Sequence, residues 1–372
     1  MNPTMLLGAA ETAAVSDGDI DTVLLLVTLT GGLAIFLLGQ DRLAESLRLI
    51  AGSRLRSVLR RLTANKFLGA LTGAGVTAII QSSSVTTVLV VGFITSGLMT
   101  LSQSIGVIMG ANVGTTITAQ IIAFDVSRWA LGIVAVGFGF SFFSKREDRR
   151  TWGALVMGLG LVFFGMGLMA DAMEPLRSYE PFIDFMARME NPILGIAAAA
   201  VFTALVQSSS ATTGVVIVLA GQGLISLEAG LALIFGANIG TSVTAQLAAL
   251  GKPREAQQAA MVHTIFNVIG VIIWIPLIGF LTSTVEGFGG GLARQLANAH
   301  TVFNVANLVI FIWFADYLAR LVERMLPLRP EEDRKVRARY LDRELLRTPP
   351  LALDRARLEL LRACLLYTSD AA

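Results

Sequence analysis

The sequence predicts an all-α membrane protein: an inverted-topology repeat whose two halves each carry one of two re-entrant helical hairpins. Three observations lead there: long apolar runs, polar blocks repeated at one spacing, and basic residues gathered in alternate loops.

Of the 372 residues, 54% are hydrophobic and only 15% charged, against roughly 25% charged in a soluble domain. Mean hydropathy is +0.68. The excess sits in Thr22–Leu38, Ser104–Phe124, Trp129–Phe143, Trp152–Ala170, Ala229–Leu250, Ala259–Leu281 and Thr301–Ala319. Each approaches the roughly 20 residues that a helix needs to cross a hydrocarbon core of about 30 Å. Barrel strands would alternate apolar and polar residues instead. The N-terminal segment carries Glu11, Asp17 and Asp19 but no Lys or Arg, the wrong charge for a cleavable signal. Cys364 is the single cysteine, which excludes an intrachain disulfide and a cysteine-built zinc site. The Lys and Arg residues lie in loops beside helices, so the net charge of +2 makes no case for nucleic acid.

The repeat is explicit. Gln81-Ser-Ser-Ser-Val-Thr-Thr87 returns as Gln207-Ser-Ser-Ser-Ala-Thr-Thr213, an offset of 126 from residue 81 to residue 207. The same offset carries Gly110-Ala-Asn-Val-Gly-Thr-Thr-Ile-Thr-Ala-Gln120 onto Gly236-Ala-Asn-Ile-Gly-Thr-Ser-Val-Thr-Ala-Gln246, Gly32 onto Gly158 and Gly39 onto Gly165. The expected divisions are an extracytoplasmic segment at 1–21, repeat 1 at 22–145, repeat 2 at 146–281 and a last transmembrane helix in 282–325. A cytoplasmic tail follows at 326–364, and 365–372 reads as non-native read-through.

Orientation follows from charge. Arg42, Arg48, Arg54, Arg56, Arg60, Arg61 and Lys66 form one basic segment; 145–150, Lys252 with Arg254, and the tail after Arg320 form three more. The positive-inside rule places all four in the cytoplasm. That holds only if 67–98, interrupted at Gln81–Ser84, dips into the membrane and returns. The same threading makes 193–223 a second hairpin entering from outside. Equivalent elements then run in opposite directions, as in many secondary transporters, whose binding sites lie near the midplane between repeats. The N-terminus is expected outside and the C-terminus inside.

Irregular backbone at membrane depth needs protein or water to cover it. Each tip offers an amide and several hydroxyls, which donate and accept. A new helix N-terminus there adds free N–H groups and the positive end of a dipole, suited to an oxyanion; free carbonyl and hydroxyl oxygens suit Na⁺. In the second block Thr115, Thr116 and Thr118, with Thr241, Ser242 and Thr244, place further oxygens within about one turn. Helix packing alone uses small and hydroxyl residues, but it rarely needs the same Gln and Asn twice. The tips hold no carboxylate, which favours a metal cation over a proton as coupling ion. His263-Thr-Ile-Phe-Asn267 and His300-Thr-Val-Phe-Asn304 form a smaller repeat, read either as a pocket wall or as a cap and packing motif at a helix start. The Gly287–Gly291 run reads as a flexible external linker.

On the paired Gln-Ser-Ser-Ser runs, the paired Gly-Ala-Asn-x-Gly-Thr blocks and the His-x-x-Phe-Asn that follows, residues 22–320 resemble the type II sodium–phosphate cotransporter family. The resemblance implies Na⁺-coupled symport of inorganic phosphate across a bacterial cytoplasmic membrane. It marks Gln81, Ser82, Ser83, Ser84, Gln207, Ser208, Ser209, Ser210, Asn238, Thr241 and Thr244. Asn112, Thr115 and Thr118 of the first block complete the set. Phosphate is assigned to both Gln-Ser-Ser-Ser runs with Asn112 and Asn238. Na⁺ is assigned to Gln81, Ser84, Thr115, Thr118, Gln207, Ser210, Thr241 and Thr244. Where electrogenic animal members carry Ala-Ala-Asp, this chain has Thr95-Ser96-Gly97, as in electroneutral members. Two Na⁺ per divalent phosphate are therefore expected. The tail resembles the opening of a PhoU-like helical domain.

No cofactor and no enzymatic activity are expected. The expected partners are phosphate, Na⁺ and the bilayer, with a homodimer left open. Another oxyanion such as sulfate or arsenate, phosphate export, and a sensing scaffold are the alternatives. An intramembrane serine hydrolase lacks its G-x-S-x-G elbow.

Overall fold

A computed structural model describes residues 21–52, 65–96, 98–124, 126–328, 340 and 349–369. Residues 1–20 of the expected extracytoplasmic segment 1–21, and the basic residues Arg54, Arg56, Arg60 and Arg61, lie outside them. All regular structure among the described residues is helical. The chain divides into two compact units, Met1–Met325 and Leu326–Ala372.

In the first unit, α1 (Thr22–Ala51) is capped by Asp21, whose carboxylate accepts from Leu24 N–H, and stops at Gly52 in the left-handed region. It runs on through Arg42 and Arg48, so its 30 residues span about 45 Å, more than a bilayer core. Then come α2 (Lys66–Ile80), α3 (Ser83–Thr95), α4 (Leu101–Ile122), α5 (Ala130–Phe143) and α6 (Glu147–Met173). Thr100 and Gln103 close a capping box at the start of α4. A short helix, α7 (Glu180–Arg188), follows and is bent 101° from α8 (Pro192–Val206). After α9 (Ser209–Gly221) and α10 (Leu227–Ala249), α11 (Arg254–Trp274) reaches Pro276, whose missing N–H breaks the ladder into a 3₁₀ turn before α12 (Ile278–Glu286). Gly289 and Gly290, both with positive φ, make the sharp turn into α13 (Leu292–Phe311), and α14 (Ala315–Met325) follows.

Six helical stretches are long and apolar enough to cross a membrane: Thr22–Ala51, Leu101–Ile122, Glu147–Ser178, Leu227–Ala249, Arg254–Glu286 and Leu292–Met325. This is a multi-pass membrane protein. The expected span at Trp129–Phe143 forms a shorter apolar helix, and the expected last span begins nine residues earlier, at Leu292.

The helices α1 and α6 pack closely on glycine. A methyl built on Gly39 would lie 2.8 Å from Gly158 O, and one on Gly158 2.9 Å from Gly39 O. Gly32 meets Gly165 in the same way, at 3.0 Å. The pairing 32 with 165 and 39 with 158 makes the helices antiparallel. Because the repeat maps Gly32 to Gly158 and Gly39 to Gly165, the contact maps onto itself when the helices are exchanged, the mark of a local two-fold axis.

The second unit contains α15 (Pro349–Ser369). It continues through Leu365–Ser369, the first part of the stretch expected as non-native read-through. Tyr340 N–H donates to Glu359, which also pairs with Arg362 at 3.2 Å.

Candidate functional site

Each Gln-Ser-Ser-Ser run is a helix break. At Gln81 φ is 59° and ψ 25°; at Gln207 they are 57° and 25°. These are the non-glycine residues with positive φ among those described. Each Gln N–H reaches back four residues, to Thr77 O and Thr203 O, both at 2.7 Å, closing the preceding helix. Glycine would take this conformation at less cost; both breaks carry an amide side chain there instead.

The next residue starts a new helix. Ser82 Oγ accepts from Val85 N–H at 3.3 Å, and Ser208 Oγ from Ala211 N–H at 3.2 Å. The first N–H groups of α3 and α9, at Ser83, Ser84, Ser209 and Ser210, have no acceptor in their own helices. Hydroxyls tie the limbs across each break: Thr77 to Thr86 at 2.8 Å and Thr203 to Thr212 at 2.7 Å. Residues nine apart in one straight helix would be about 13.5 Å apart along its axis. The chain therefore bends sharply at both breaks.

Both breaks are framed by the long helices. The first limb α2 lies along α4, and α8 along α10. The second limbs α3 and α9 each touch both α4 and α10. The glycines of the second polar block make this closeness possible. A side chain on Gly110 would collide with the Ala70 backbone, and one on Gly236 with that of Ile196.

The candidate residues fall into two environments. Gln81 Oε1 accepts from Thr118 Oγ1 at 2.6 Å, and its amide nitrogen donates to Ala78 O. Asn112 donates to Asn267 Oδ1 at 2.6 Å and faces His263 Nε2 at 3.2 Å. Since Asn112 Oδ1 can only accept, His263 carries its proton on Nε2. The second half differs. Gln207 is exposed, and Thr244 Oγ1 is shielded from solvent without a hydrogen-bond partner. Asn238 donates back to Ile234 O of its own helix, and Asn304 to His300 O. Thr115 bonds Ala111 O at 3.1 Å. Thr241 is buried, Ser83 is buried, and Ser82, Ser84, Ser208, Ser209 and Ser210 are half-buried. No hydrogen bond joins one Gln-Ser-Ser-Ser run to the other among the described residues; what they share is the pair α4 and α10.

His263 and His300 are not at helix starts. Both are buried inside α11 and α13, so the capping reading is wrong. Their neighbours explain the motif. Gln120 donates to Thr301 at 3.0 Å, and its repeat partner Gln246 donates to Thr264 at 2.8 Å. Thr264 and Thr301 are the second residues of the two His-Thr-x-Phe-Asn motifs, so α11 and α13 bear the same relation to the two halves. The sequence held that signal in its 37-residue spacing, from 263 to 300. Sequence reasoning also passed over Thr77 and Thr203, which obey the 126-residue offset, and Arg294, which donates to Gln120 Oε1 at 2.9 Å and lies over Phe124.

Known proteins agree on kinship. The family model described as Na⁺/Pi-cotransporter matches residues 35–171 and 180–309. The Escherichia coli K12 protein named "Putative inorganic phosphate export protein YjbB" is 31% identical over 341 residues, 91% of this chain and 63% of its own length. YqeW of Bacillus subtilis, uncharacterised, is 31% identical over 271 residues, 71% of this chain and 86% of its own. Human sodium-dependent phosphate transport protein 2B is 32% identical over 136 residues, 34% of this chain and 20% of its own. The chain thus spans under two thirds of the length of its YjbB relatives. No solved structure matches. Two broken apolar helices with matching polar tips, lodged against matching long helices, are what this match covers: the chain belongs to the Na⁺/Pi-cotransporter family.

Proposed function

We propose that the chain carries inorganic phosphate across the cytoplasmic membrane together with Na⁺, by alternating access. The observation that carries this reading is the identical backbone of the two tips, each a left-handed Gln followed by a capping Ser, in the two halves of the chain. In this reading α2–α3 and α8–α9 are re-entrant hairpins entering from opposite sides, the N-terminus is outside and the C-terminus inside. The self-mapping α1–α6 contact supports the inverted repeat, since a two-fold axis in the membrane plane reverses one half relative to the other.

The roles follow from donor chemistry. Phosphate is an acceptor of hydrogen bonds, so the free N–H groups and hydroxyls at Ser82, Ser83, Ser84, Ser208, Ser209 and Ser210 bind it, with the amides of Gln81, Gln207, Asn112 and Asn238. Na⁺ takes oxygen. Gln81, Ser84, Thr115 and Thr118 on one side, and Gln207, Ser210, Thr241 and Thr244 on the other, supply carbonyl and hydroxyl oxygens without a carboxylate. The cations then offset the phosphate charge that the neutral tips cannot.

Purified protein in liposomes tests this. Radiolabelled phosphate uptake that needs an inward Na⁺ gradient, and stops when Na⁺ is replaced by choline or K⁺, is the expected result. Na⁺-linked flux of sulfate or arsenate in its place reassigns the substrate, and absence of flux refutes the reading. Export is the second reading, favoured by the name of the YjbB relatives; it predicts net phosphate loss from loaded cells that express the chain.

A further inference from the structure

We infer that two pairs of polar latches hold the protein in one of two opposed states, and that the pairs exchange during the transport cycle. This rests on the transport reading above and adds the contacts that switch.

The first pair is at the tips. Gln81 and Thr118 are bonded at 2.6 Å. Their repeat partners, Gln207 and Thr244, are not: Gln207 is exposed, and Thr244 Oγ1 is enclosed with nothing to bond. The second pair lies deeper. Asn112 is held by Asn267 and His263 from α11. The repeat partner of Asn112 is Asn238, and the counterparts of His263 and Asn267 on α13 are His300 and Asn304. Asn238 and Asn304 each bond only backbone in their own helices. Asn304 Oδ1, the counterpart of the Asn267 oxygen that Asn112 bonds, is buried without a partner; the ring nitrogens His300 Nδ1 and His263 Nδ1 are unpaired in both latches and do not tell them apart. The helices are nevertheless adjacent, since the rings of Phe235 and Phe303, beside these residues, lie 4.6 Å apart between centres, tilted by 33°.

The two pairs are independent observations with one sense: both latches of repeat 1 are closed, both of repeat 2 are open. Buried polar atoms without partners are costly. Their placement opposite the complementary groups that the repeat would supply says what satisfies them. In the opposite state Gln207 meets Thr244 and Asn238 meets Asn304 and His300, while the repeat 1 latches open. A chain whose halves share the same polar blocks at one offset thereby gains two states of similar energy, which a transporter requires.

Thiol labelling tests this without transport. Cys364→Ser leaves the chain free of cysteine. Ala78→Cys and Ala204→Cys, equivalent half-buried positions beside the two tips, then serve as separate reporters. Labelling by a membrane-impermeant maleimide is measured in oriented membrane vesicles without phosphate. Thr118→Ala removes a closed latch and Thr244→Ala a latch of the opposite state. The two should shift the labelling rate of the same reporter in opposite directions, each by about fivefold, the population change for one net hydrogen bond. Thr118→Ser and Thr244→Ser keep the hydroxyl and should label as the parent does. Asn267→Ala and Asn304→Ala, a second and separate pair, should repeat the opposition. Shifts in the same direction, or no shift at either reporter, overturn the exchange. Absence of Na⁺-dependent flux in the unaltered chain would overturn the transport reading instead, and leaves the labelling result to stand or fall alone.

Discussion

Thr86→Val should destabilise the protein more than Thr77→Val, although the two hydroxyls bond each other. Thr86 Oγ1 lies 3.2 Å from Ser82 O and 2.8 Å from Thr77 Oγ1. A carbonyl only accepts, so the Thr86 proton goes to Ser82 O and Thr77 must donate to Thr86. Thr77→Val removes one net hydrogen bond, worth about 1 kcal/mol, and leaves the Thr86 proton satisfied. Thr86→Val removes two bonds and strands the buried Thr77 hydroxyl, for about 2–4 kcal/mol. Valine matches threonine in shape, so no cavity adds to either value. The double variant strands nothing and should cost no more than Thr86→Val alone. Melting in detergent, followed by size-exclusion chromatography, reads the order. Phosphate flux should fall in the same order, because Ser82 O sits at the tip. The second break carries the same pattern, with Thr212 at 3.2 Å from Ser208 O and 2.7 Å from Thr203. Equal costs for the two single variants, or a larger cost for Thr77→Val, would refute this direction of donation.

Three further outcomes are expected. Gly39→Ala places a methyl 2.8 Å from Gly158 O and should lower the melting temperature, at a cost of about 1–3 kcal/mol. Gly31→Ala, with nothing within 4 Å of the new methyl, should be neutral or stabilising by up to about 1 kcal/mol; if the two variants melt alike, the α1–α6 contact is misplaced. Ser83→Ala and Ser209→Ala should each abolish Na⁺-dependent phosphate flux without lowering the melting temperature, and normal flux in either would count against a pocket built from both tips. Transport should be electrically silent if, as expected, two Na⁺ accompany each divalent phosphate; a robust inward current on adding phosphate would contradict this.

What the sequence made legible was what local chemistry decides. Gln-Ser-Ser-Ser announced a helix break because Ser caps a new helix while the residue before it closes the old one, and this happens within five residues. The connection read at Gly287–Gly291 is local in the same sense, with Gly289 and Gly290 at positive φ, whereas Ala259–Leu281 reads as one apolar span although Pro276 breaks it. The start of α13 was not legible, since Leu292–His300 carries Arg294, Gln295 and Asn298 and reads as polar. These residues belong inside a helix because Gln120 of α4 bonds both Asn298, at 3.2 Å, and Arg294. The role of His263 was hidden for the same reason: its partner is Asn112, 151 positions away.

The halves show where that division falls. Identical sequence gives Gln81 and Gln207 the same backbone to within 2° in φ, because each conformation is fixed by its own neighbours. The same two residues differ in their partners, because the Gln81–Thr118 bond spans 37 positions and depends on how a hairpin sits against a long helix. Duplication can specify the parts twice over. It cannot hold both halves in the same arrangement if one closes only as the other opens. A repeat whose local geometry is symmetric and whose distant contacts are not is what a two-state carrier should look like when caught in one state. A structure with Gln81–Thr118 and Gln207–Thr244 both closed, in the absence of phosphate and Na⁺, would remove the basis of this argument.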